Sequence, residues 1–324
     1  MKNRKFKKGL AIVLALVMVF AMTATAFAVS GNGYYVVGTA TTEGPINVKV
    51  VIESRQFSEE DASVISEILD VDVSTMSDST KGFTVRDAML AVQNDASNGI
   101  TLYNGTGGLF TSEDTYIRSM EQNGKNYEPA LPFYDSNPQY SYALDGWTFR
   151  VNGKYPVSTT DGSPTTPGPV GTSVNETPIS EGDVIHFYWD YPYNKTSSEL
   201  YSAKFITPDA SYANGTLTVS LKASDAYFDN SMYWHINAFA AYTDAANATV
   251  TLYNADGTQV SGVNGHINAN GTCSIAGLNL EAGTYYVKTA TTSYKGADGY
   301  DQDYEEVTLQ ILNSTMGYEK IVIE

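Results

Sequence analysis

Alternation of apolar and polar residues is clearest between positions 146 and 157. Apolar residues occupy every second position in its first half: Trp147, Phe149 and Val151. This is the period of a strand with one buried face. Asn152-Gly153 follows at once, and this pair accepts the positive φ angles of a two-residue hairpin turn. The pattern predicts a β-hairpin whose return strand, Tyr155 to Val157, lies at a sheet edge because Pro156 cannot donate to a ladder.

A second strong pattern runs from position 179 to 189. Glu181-Gly182-Asp183 is a turn signal, and an unbroken run of apolar and aromatic residues follows from Val184 to Trp189. Such a run predicts a well-buried strand. We expect the sheet formed by this strand and the hairpin to present any functional surface that the chain carries.

The first half of the chain predicts several further elements around this sheet. In order, these are a strand at 46–53, a helix from about Glu59 to Leu69, a helix capped by Thr84, and strands near 100–103 and 116–120. Asp87 stands three residues after Thr84, which is the spacing of a capping box. A long aromatic-containing loop is predicted from Tyr127 to Tyr142.

Two polar stretches interrupt the second half. Residues 158–178 are rich in Ser, Thr, Pro and Gly, so we expect a mobile excursion that buries nothing. Residues 193–200 are a plausible linker. From Tyr201 onward, short alternating strands are separated by turn signals at regular intervals, which favours an antiparallel two-sheet sandwich. The predicted fold class is therefore mainly β, with an α+β domain followed by a sandwich.

The first 28 residues have the features of a secretory signal. A basic start precedes an apolar run from Leu10 to Met22, and Ala26-Phe27-Ala28 supplies the small residues of a cleavage site. The alternative is a membrane anchor, but the run is shorter than the roughly 20 residues that a spanning helix needs. The expected organisation is a signal at 1–28 and domains at 29–199 and 200–324, with the mature protein secreted or held at the cell surface without membrane insertion.

The charge and the cysteine content argue against some classes of partner and of covalent cross-link. The chain has 36 acidic and 19 basic residues, a net charge of −17. Without the five basic residues of the signal, 36 acidic residues face 14 basic ones, and the net charge becomes −22. Such a surface repels phosphate backbones and anionic lipids, which argues against nucleic-acid partners. Cys273 is the only cysteine, so no disulfide can form within the chain.

The patterns of common catalytic and metal sites are missing from the sequence. His186, His235 and His266 are not paired at a metal-ligand spacing, and no Gly-x-Ser-x-Gly elbow occurs. Acidic residues at 70–78 and 298–306 could hold calcium through carboxylate oxygens, although solvated loops are the favoured interpretation. We therefore expect no enzymatic activity and name no catalytic or metal-binding residue.

Three blocks of the N-terminal half carry a family resemblance. They are Phe83 to Met89, Gly146 to Pro156, and Glu181 to Ile185 with the aromatic strand after it. Together they resemble the family built on the C-terminal domain of the transcobalamins and intrinsic factor, which also occurs in bacterial exported proteins. The resemblance implies a β-grasp-like module, which in the vertebrate carriers closes over cobalamin together with a helical barrel. No such barrel is encoded here.

A weaker resemblance concerns the C-terminal half. Leu278 to Lys288, with its Gly-Thr-Tyr-Tyr sequence, is similar to the late hairpin of bacterial immunoglobulin-like surface modules. This resemblance implies an immunoglobulin-like sandwich and no particular activity.

The leading functional hypothesis is a non-catalytic binding protein. The predicted ligand-binding residues are aromatic: Trp147, Tyr155, Tyr188 and Trp189. Aromatic faces suit sugar rings or flat cofactors, so the expected partners are a small molecule, a glycan or a surface protein. Trp147 shares a strand face with Phe149 and Val151, so the alternative interpretation places its side chain in the core.

The competing hypothesis is adhesion or structural assembly at the cell surface. Cobalamin and calcium are the candidate cofactors. Cobalamin binding and a hydrolase activity are less favoured functions than either hypothesis.

Overall fold

The computed structural model describes residues 34–36, 44–53, 66–127, 146–159, 162–163, 166–167, 170–190, 193–196, 199–201, 205–224, 226–228, 234–236, 240–241, 243, 248–290 and 317–324. Within these ranges the protein is mainly β, with several antiparallel sheets. The predicted signal segment, most of the predicted helix at 59–69, most of the loop at 127–142 and the acidic run at 298–306 lie outside the described residues. Within the described ranges, every helix is too short or too polar to cross a membrane.

The elements up to the turn at 152–153 are β1 (Tyr34–Val36), β2 (Ile46–Glu53), β3 (Ser66–Val73), α1 (Val85–Asn94), β4 (Ile100–Asn104), β5 (Ile117–Gln122), β6 (Lys125–Tyr127) and β7 (Gly146–Val151). The middle of the chain contains β8 (Tyr155–Thr159), β9 (Gly162–Ser163), β10 (Thr166–Pro167), β11 (Val170–Gly171), β12 (Val184–Asp190), β13 (Tyr193–Thr196) and β14 (Glu199–Tyr201). The remainder is β15 (Phe205–Ala213), β16 (Thr216–Ser224), β17 (Ala226–Phe228), β18 (Trp234–Ile236), β19 (Ala240–Ala241), β20 (Thr249–Asn254), β21 (Gln259–His266), β22 (Thr272–Ala276), β23 (Gly283–Ala290) and β24 (Gly317–Ile323).

A four-stranded sheet in the order β3-β2-β12-β7 organises the N-terminal half. β2 and β12 run parallel, and the other two pairs are antiparallel. One face of this sheet packs with α1 and the β4-β5-β6 sheet to form the N-terminal core, whose members include Val50, Met89, Leu102 and Phe187. The opposite face is also buried at Val51 and Val184. Burial on both faces explains why apolar and aromatic residues predominate in β12.

The predicted capped helix is present as α1. The Asp87 carboxylate accepts hydrogen bonds from the Thr84 backbone N–H at 2.8 Å and from the Thr84 hydroxyl at 2.9 Å. The next two amides, of Val85 and Arg86, donate to the carbonyls of Thr177 and Val174. These bonds satisfy donors that a helix start otherwise leaves unpaired.

The prediction for residues 158–178 is wrong in its last part. Val174, Thr177 and Pro178 are buried, and the segment from 172 to 178 supplies the carbonyls that receive the first amides of α1. This polar sequence is held in place by its backbone carbonyls and by Val174, whose side chain belongs to the N-terminal core.

The end of the predicted helix at 59–69 is also wrong. Ser66 to Leu69 belong to β3, which pairs with β2 over eight residues. Val71 and Val73 alternate with exposed Asp70 and Asp72, which is the strand period. Long-range pairing with β2 therefore overrides the local helical pattern. Asp70 and Asp72, considered above as calcium ligands of a loop, are strand residues.

The predicted hairpin forms its turn but not its second half. Asn152 and Gly153 have φ angles of 51° and 73°, as the turn requires. Beyond the Val151–Lys154 bridge, however, β7 pairs with β12, whereas β8 pairs with β1 and β11 in a different sheet. β8 is therefore not an edge strand, because the short strand β1 covers one side of it and β11 the other.

A second core lies between two sheets of the C-terminal half. One sheet has the order β15-β16-β19, with β22 also paired to β16, and the other has the order β21-β20-β23-β24. The C-terminal core takes Leu217 and Val219 from the first sheet and Val250, Val287 and Ile321 from the second. Residues 193–200, predicted as a linker, contain β13 and the start of β14, which join a seven-stranded sheet with β1, β8, β11, β17 and β18.

Candidate functional site

Trp147 belongs to the N-terminal core. Its side chain is only 5 % exposed, and its indole N–H donates a hydrogen bond to the Tyr127 carbonyl at 3.2 Å. Phe149, two residues further along the same face, stacks on Phe187 with ring centroids 5.2 Å apart. The alternation that singled out Trp147 thus places it inside, as its alternative interpretation anticipated.

Tyr155 and Tyr188 lie on either side of a buried arginine. The Arg150 side chain has no exposed surface, and its Nε–H donates to the Tyr188 hydroxyl at 3.0 Å. The guanidinium carbon lies 4.2 Å from the centroid of the half-buried Tyr155 ring and 5.9 Å from that of the buried Tyr188 ring. The structure therefore brings these two predicted residues together around a cation of the chain itself.

Trp189 is opposite Trp147 in the pairing of β12 with β7. The side chain of Trp189 lies outside the described residues, so its contact with a ligand stays a prediction. His186, on the same strand, is buried and meets the Tyr188 ring edge-on at 5.9 Å between centroids.

An open cavity of about 530 Å³ lies elsewhere in the N-terminal half, against α1. One side of it is the helix face formed by Asp87, Leu90, Ala91 and Asn94, at the i, i+3, i+4 and i+7 positions. The remaining walls come from the end of β3, the loop after it, and two further loops: Asp72, Ser74, Thr75, Met76, Ser77, Asp95 and Ser112. Hydroxyl, amide and carboxylate groups thus surround the apolar side chains of Leu90 and Met76.

Two carboxylates of this cavity are engaged in holding its walls. Asp87 accepts the Ser77 N–H at 2.8 Å in addition to the two bonds from Thr84, and so fixes the loop against the helix start. Asp95 accepts the N–H and the hydroxyl of Ser97, and these bonds lower the pKa of its carboxyl below the ordinary value. The cavity is therefore anionic and has a preformed rim, properties that suit a ligand rich in hydrogen-bond donors.

The turns at 181–183 and 152–154 both contact the C-terminal half. Lys320 Nζ, on β24, lies 2.9 Å from Asp183 Oδ1 and also donates to the Glu181 carbonyl at 2.8 Å. The Tyr286 hydroxyl, on β23, donates to the Gly182 carbonyl at 2.9 Å. We call this contact between the two cores the interface. The turn at 181–183 is thus tied to two strands more than 100 positions away in sequence.

The same interface includes a small apolar patch and a cation. Val51 and Val184, on the outer face of the N-terminal sheet, pack against the Tyr286 ring. Lys49 Nζ lies 5.0 Å from the centroid of that ring and 2.6 Å from Asp70 Oδ1. Burial, followed by the negative charges of Asp183 and Glu181, raises the pKa of the Tyr286 phenol to about 12.

The turn at 152–154 makes the other part of the interface. A methyl group on Gly153 would lie 2.9 Å from Thr207 Cβ, so the backbone approaches β15 closely. Glu319, on β24, is 8 % exposed, and its Oε2 atom has no hydrogen-bond partner among the described residues. The Ala210 N–H of β15 donates to its carboxyl, and Lys154 supplies the attractive charge that acts on it.

Two observations on the described residues concern the candidate cofactors cobalamin and calcium. Trp147, Phe149, Arg150 and Tyr188 are all buried, so these four described residues of β7 and β12 offer no open surface to a corrin ring. Among the described residues, no three His, Cys, Asp or Glu side chains are placed to hold a metal ion.

Comparison with protein-family models, with curated proteins and with solved structures found no match.

Sequence reasoning missed the cavity, and the signal for it was weak. The loop at 74–80 is rich in Ser and Thr and precedes the capped helix, whose outer positions Leu90 and Asn94 continue one face. That combination indicates a polar groove only once the fold of β3 against α1 is known. The interface has no local signal at all, because its partners are far apart along the chain.

Proposed function

We propose that this chain is a secreted or cell-surface, non-catalytic binding protein, and that the cavity against α1 receives a small polar ligand such as one ring of a glycan. The N-terminal half would be a module of the transcobalamin C-terminal-like family with a β-grasp-like fold, and the C-terminal half an immunoglobulin-like sandwich. The signal segment and the acidic surface support export.

The observation that supports this proposal is the lining of the cavity. Hydroxyl groups, the Asn94 amide and the Asp72 and Asp95 carboxylates can exchange hydrogen bonds with ligand hydroxyls. Leu90 and Met76 offer apolar contact to the C–H face of a ring. Small-ligand sites typically combine a few polar groups with apolar surface in this way, at volumes of about 300–1,000 Å³.

The lining also supports binding rather than catalysis. Its eleven residues include no histidine, cysteine or lysine. Asp87 is fully engaged by Thr84 and Ser77, and Asp95 remains ionised through its bonds to Ser97. The lowered pKa of the Asp95 carboxyl is the opposite of the raised pKa that a general acid needs near neutral pH.

The test is a glycan and metabolite screen of the mature chain, followed by calorimetry on Asn94→Ala. Asn94 is an exposed cavity residue, so this change should weaken binding by about tenfold, the value of one or two hydrogen bonds, without altering unfolding. Asn126→Ala, an exposed asparagine on β6 outside the cavity, is the matched control. Equal binding by both variants would place the ligand elsewhere. Self-association of the chain with no ligand bound would instead favour the adhesion hypothesis.

A further inference from the structure

Among the described residues outside the proposed cavity, Glu319 is a buried carboxyl whose surroundings disfavour its charge. It lies where β24, β15 and the turn at 152–154 meet, and it is more than nine-tenths buried. One of its carboxyl oxygens accepts the Ala210 N–H, whereas Oε2 is buried and finds no partner within the part of the chain that the structure describes. An ionised carboxylate in this position would have an unsatisfied oxygen, whereas a protonated carboxyl carries no net charge into the protein.

The charges around Glu319 come from three elements. Lys154, at the turn, attracts the ionised form, and Asp209 on β15 repels it. Asp209 is itself 3.7 Å from Lys222 on β16, so its negative charge is partly balanced. On β24 the neighbouring Lys320 is committed to Asp183, and the cross-strand partner on β23 is the apolar Val287.

Desolvation outweighs these charges. Burial is the largest influence on Glu319 and raises its pKa from the ordinary 4.5 to about 8, with Asp209 acting in the same direction and Lys154 in the opposite one. If the turn at 152–154 withdraws from β15, water reaches the carboxyl and its pKa returns towards the ordinary value.

We propose that a proton on Glu319 controls the interface between the two cores, which is closed when the carboxyl is protonated and loosens when the carboxyl is ionised. The regulated contact comprises Gly153 on Thr207, Lys320 with Asp183, and Tyr286 on Gly182. This regulation is independent of the ligand cavity.

The direction of the pH effect follows from the two pKa values. The closed state holds the proton up to about pH 8, whereas the open state releases it near pH 4.5. Closure is therefore strongest below pH 4.5, weakens as the pH rises towards 8, and is constant above that. One linked proton makes the opening constant rise by about tenfold per pH unit within this window.

The experiment is hydrogen–deuterium exchange of the mature chain between pH 5 and 9, with each rate divided by the intrinsic rate at that pH. Peptides covering 181–184 and 317–323 report on the interface, and β4 serves as the internal reference. We expect the opening constant of the interface peptides alone to rise by about tenfold per pH unit up to pH 8. A rise below about threefold per unit, or an equal rise in β4, would overturn the proposal.

Three variants and one control variant identify the group responsible. Glu319→Gln, an uncharged carboxamide, should abolish the pH dependence, whereas Glu281→Gln, at an exposed position of the same half, should retain it. Lys154→Gln should extend the rise to higher pH, because the attraction for the anion is lost. Asp209→Asn should end the rise at lower pH. A Glu319→Gln chain with wild-type pH dependence, or Lys154 and Asp209 variants that leave the upper limit unmoved, would refute control by this carboxyl.

Discussion

Lys320 Nζ and Asp183 Oδ1 lie 2.9 Å apart and join the two cores, although the two residues are 137 positions apart in the sequence. The Asp183 side chain is 4 % exposed and that of Lys320 17 %. Asp183 also accepts from the Asn152 amide and the Ser180 N–H, so it links the turns at 152–153 and 181–183 to each other as well as to β24.

Removing Lys320 should destabilise the protein measurably. Lys320→Ala leaves the buried Asp183 carboxylate without its cation, a change that costs roughly 2–4 kcal/mol of unfolding free energy for a largely buried pair. Lys222→Ala is the matched control, because Lys222 pairs with Asp209 at 3.7 Å in a more exposed position, and it should cost less than about 1 kcal/mol. Chemical denaturation of the two variants at pH 7 measures the difference, and equal costs would contradict a stabilising role of the pair.

Gly153 should tolerate no side chain. Gly153→Ala places a methyl group against the Thr207 side chain and also imposes a positive φ of 73° on alanine. Gly257→Ala has the same backbone cost, at a φ of 81°, but has open space around the new Cβ.

The second glycine therefore isolates the steric contribution. We expect about 1–2 kcal/mol of destabilisation for Gly257→Ala from the left-handed backbone. Gly153→Ala should lose a further 1–3 kcal/mol, roughly, from overpacking at the interface. Thermal unfolding measures both variants. Similar melting temperatures would mean that the turn at 152–154 does not press on β15.

The Tyr286 phenol should titrate at a higher pH than an exposed tyrosine. Its pKa of about 12 means that the folded protein keeps this phenol protonated at pH 11, where an exposed tyrosine is largely ionised. The difference between the ultraviolet titrations of the wild type and Tyr286→Phe isolates this phenol, and we expect its midpoint near 12. A midpoint near 10 would show that water reaches the ring.

The same tyrosine gives a stability prediction with a defined sign. Because the folded pKa is raised, the unfolded chain ionises first as the pH increases, and the contribution of Tyr286 to stability is lost between about pH 10 and 12. At pH 8, Tyr286→Phe should cost about 1 kcal/mol, since the Gly182 carbonyl loses its donor. Denaturant titration of the wild type and Tyr286→Phe at pH 8 and pH 11 measures the cost of the substitution at each pH. We expect the smaller cost at pH 11, and a larger cost there would contradict the prediction.

Asp87 should contribute more to the unfolding free energy than Asp95, the other capping carboxylate of the cavity. Asp87→Ala removes the acceptor of Thr84 and Ser77, and we expect a loss of about 1–2 kcal/mol, which is typical of a helix cap. Asp95→Ala, which removes an exposed acceptor for Ser97, should cost less. Far-ultraviolet circular dichroism during heating compares the two variants, and a larger loss for Asp95→Ala would contradict the cap.

Local chemistry could be predicted from the sequence wherever one segment determines its own structure. The Thr84–Asp87 cap and the left-handed Asn152-Gly153 turn are short-range effects, and both are confirmed. The mainly β composition of the described residues is confirmed as well.

Where the structure differs from the sequence-based prediction, strand pairing between distant segments is the cause. Residues predicted to end a helix form β3, because they pair with β2 over eight residues. β8 pairs with β1 and β11 instead of forming the predicted hairpin with β7. Tyr155 and Tyr188 could be recognised as important aromatics, but their association with Arg150 depends on a side-chain contact that no periodicity encodes. The cavity likewise depends on how a loop lies across α1.

Burial of the outer sheet face at Val51 and Val184 has a consequence for how this protein can change over time. The N-terminal half should not be stable when separated from the C-terminal half. A chain that ends before β15 would expose Val51 and Val184 and would leave Asp183 without Lys320. Substitutions at 181–183 and at 286 or 320 should therefore arise in matched sets. A graft of the N-terminal half onto another scaffold would need to bring a tyrosine and a lysine with it.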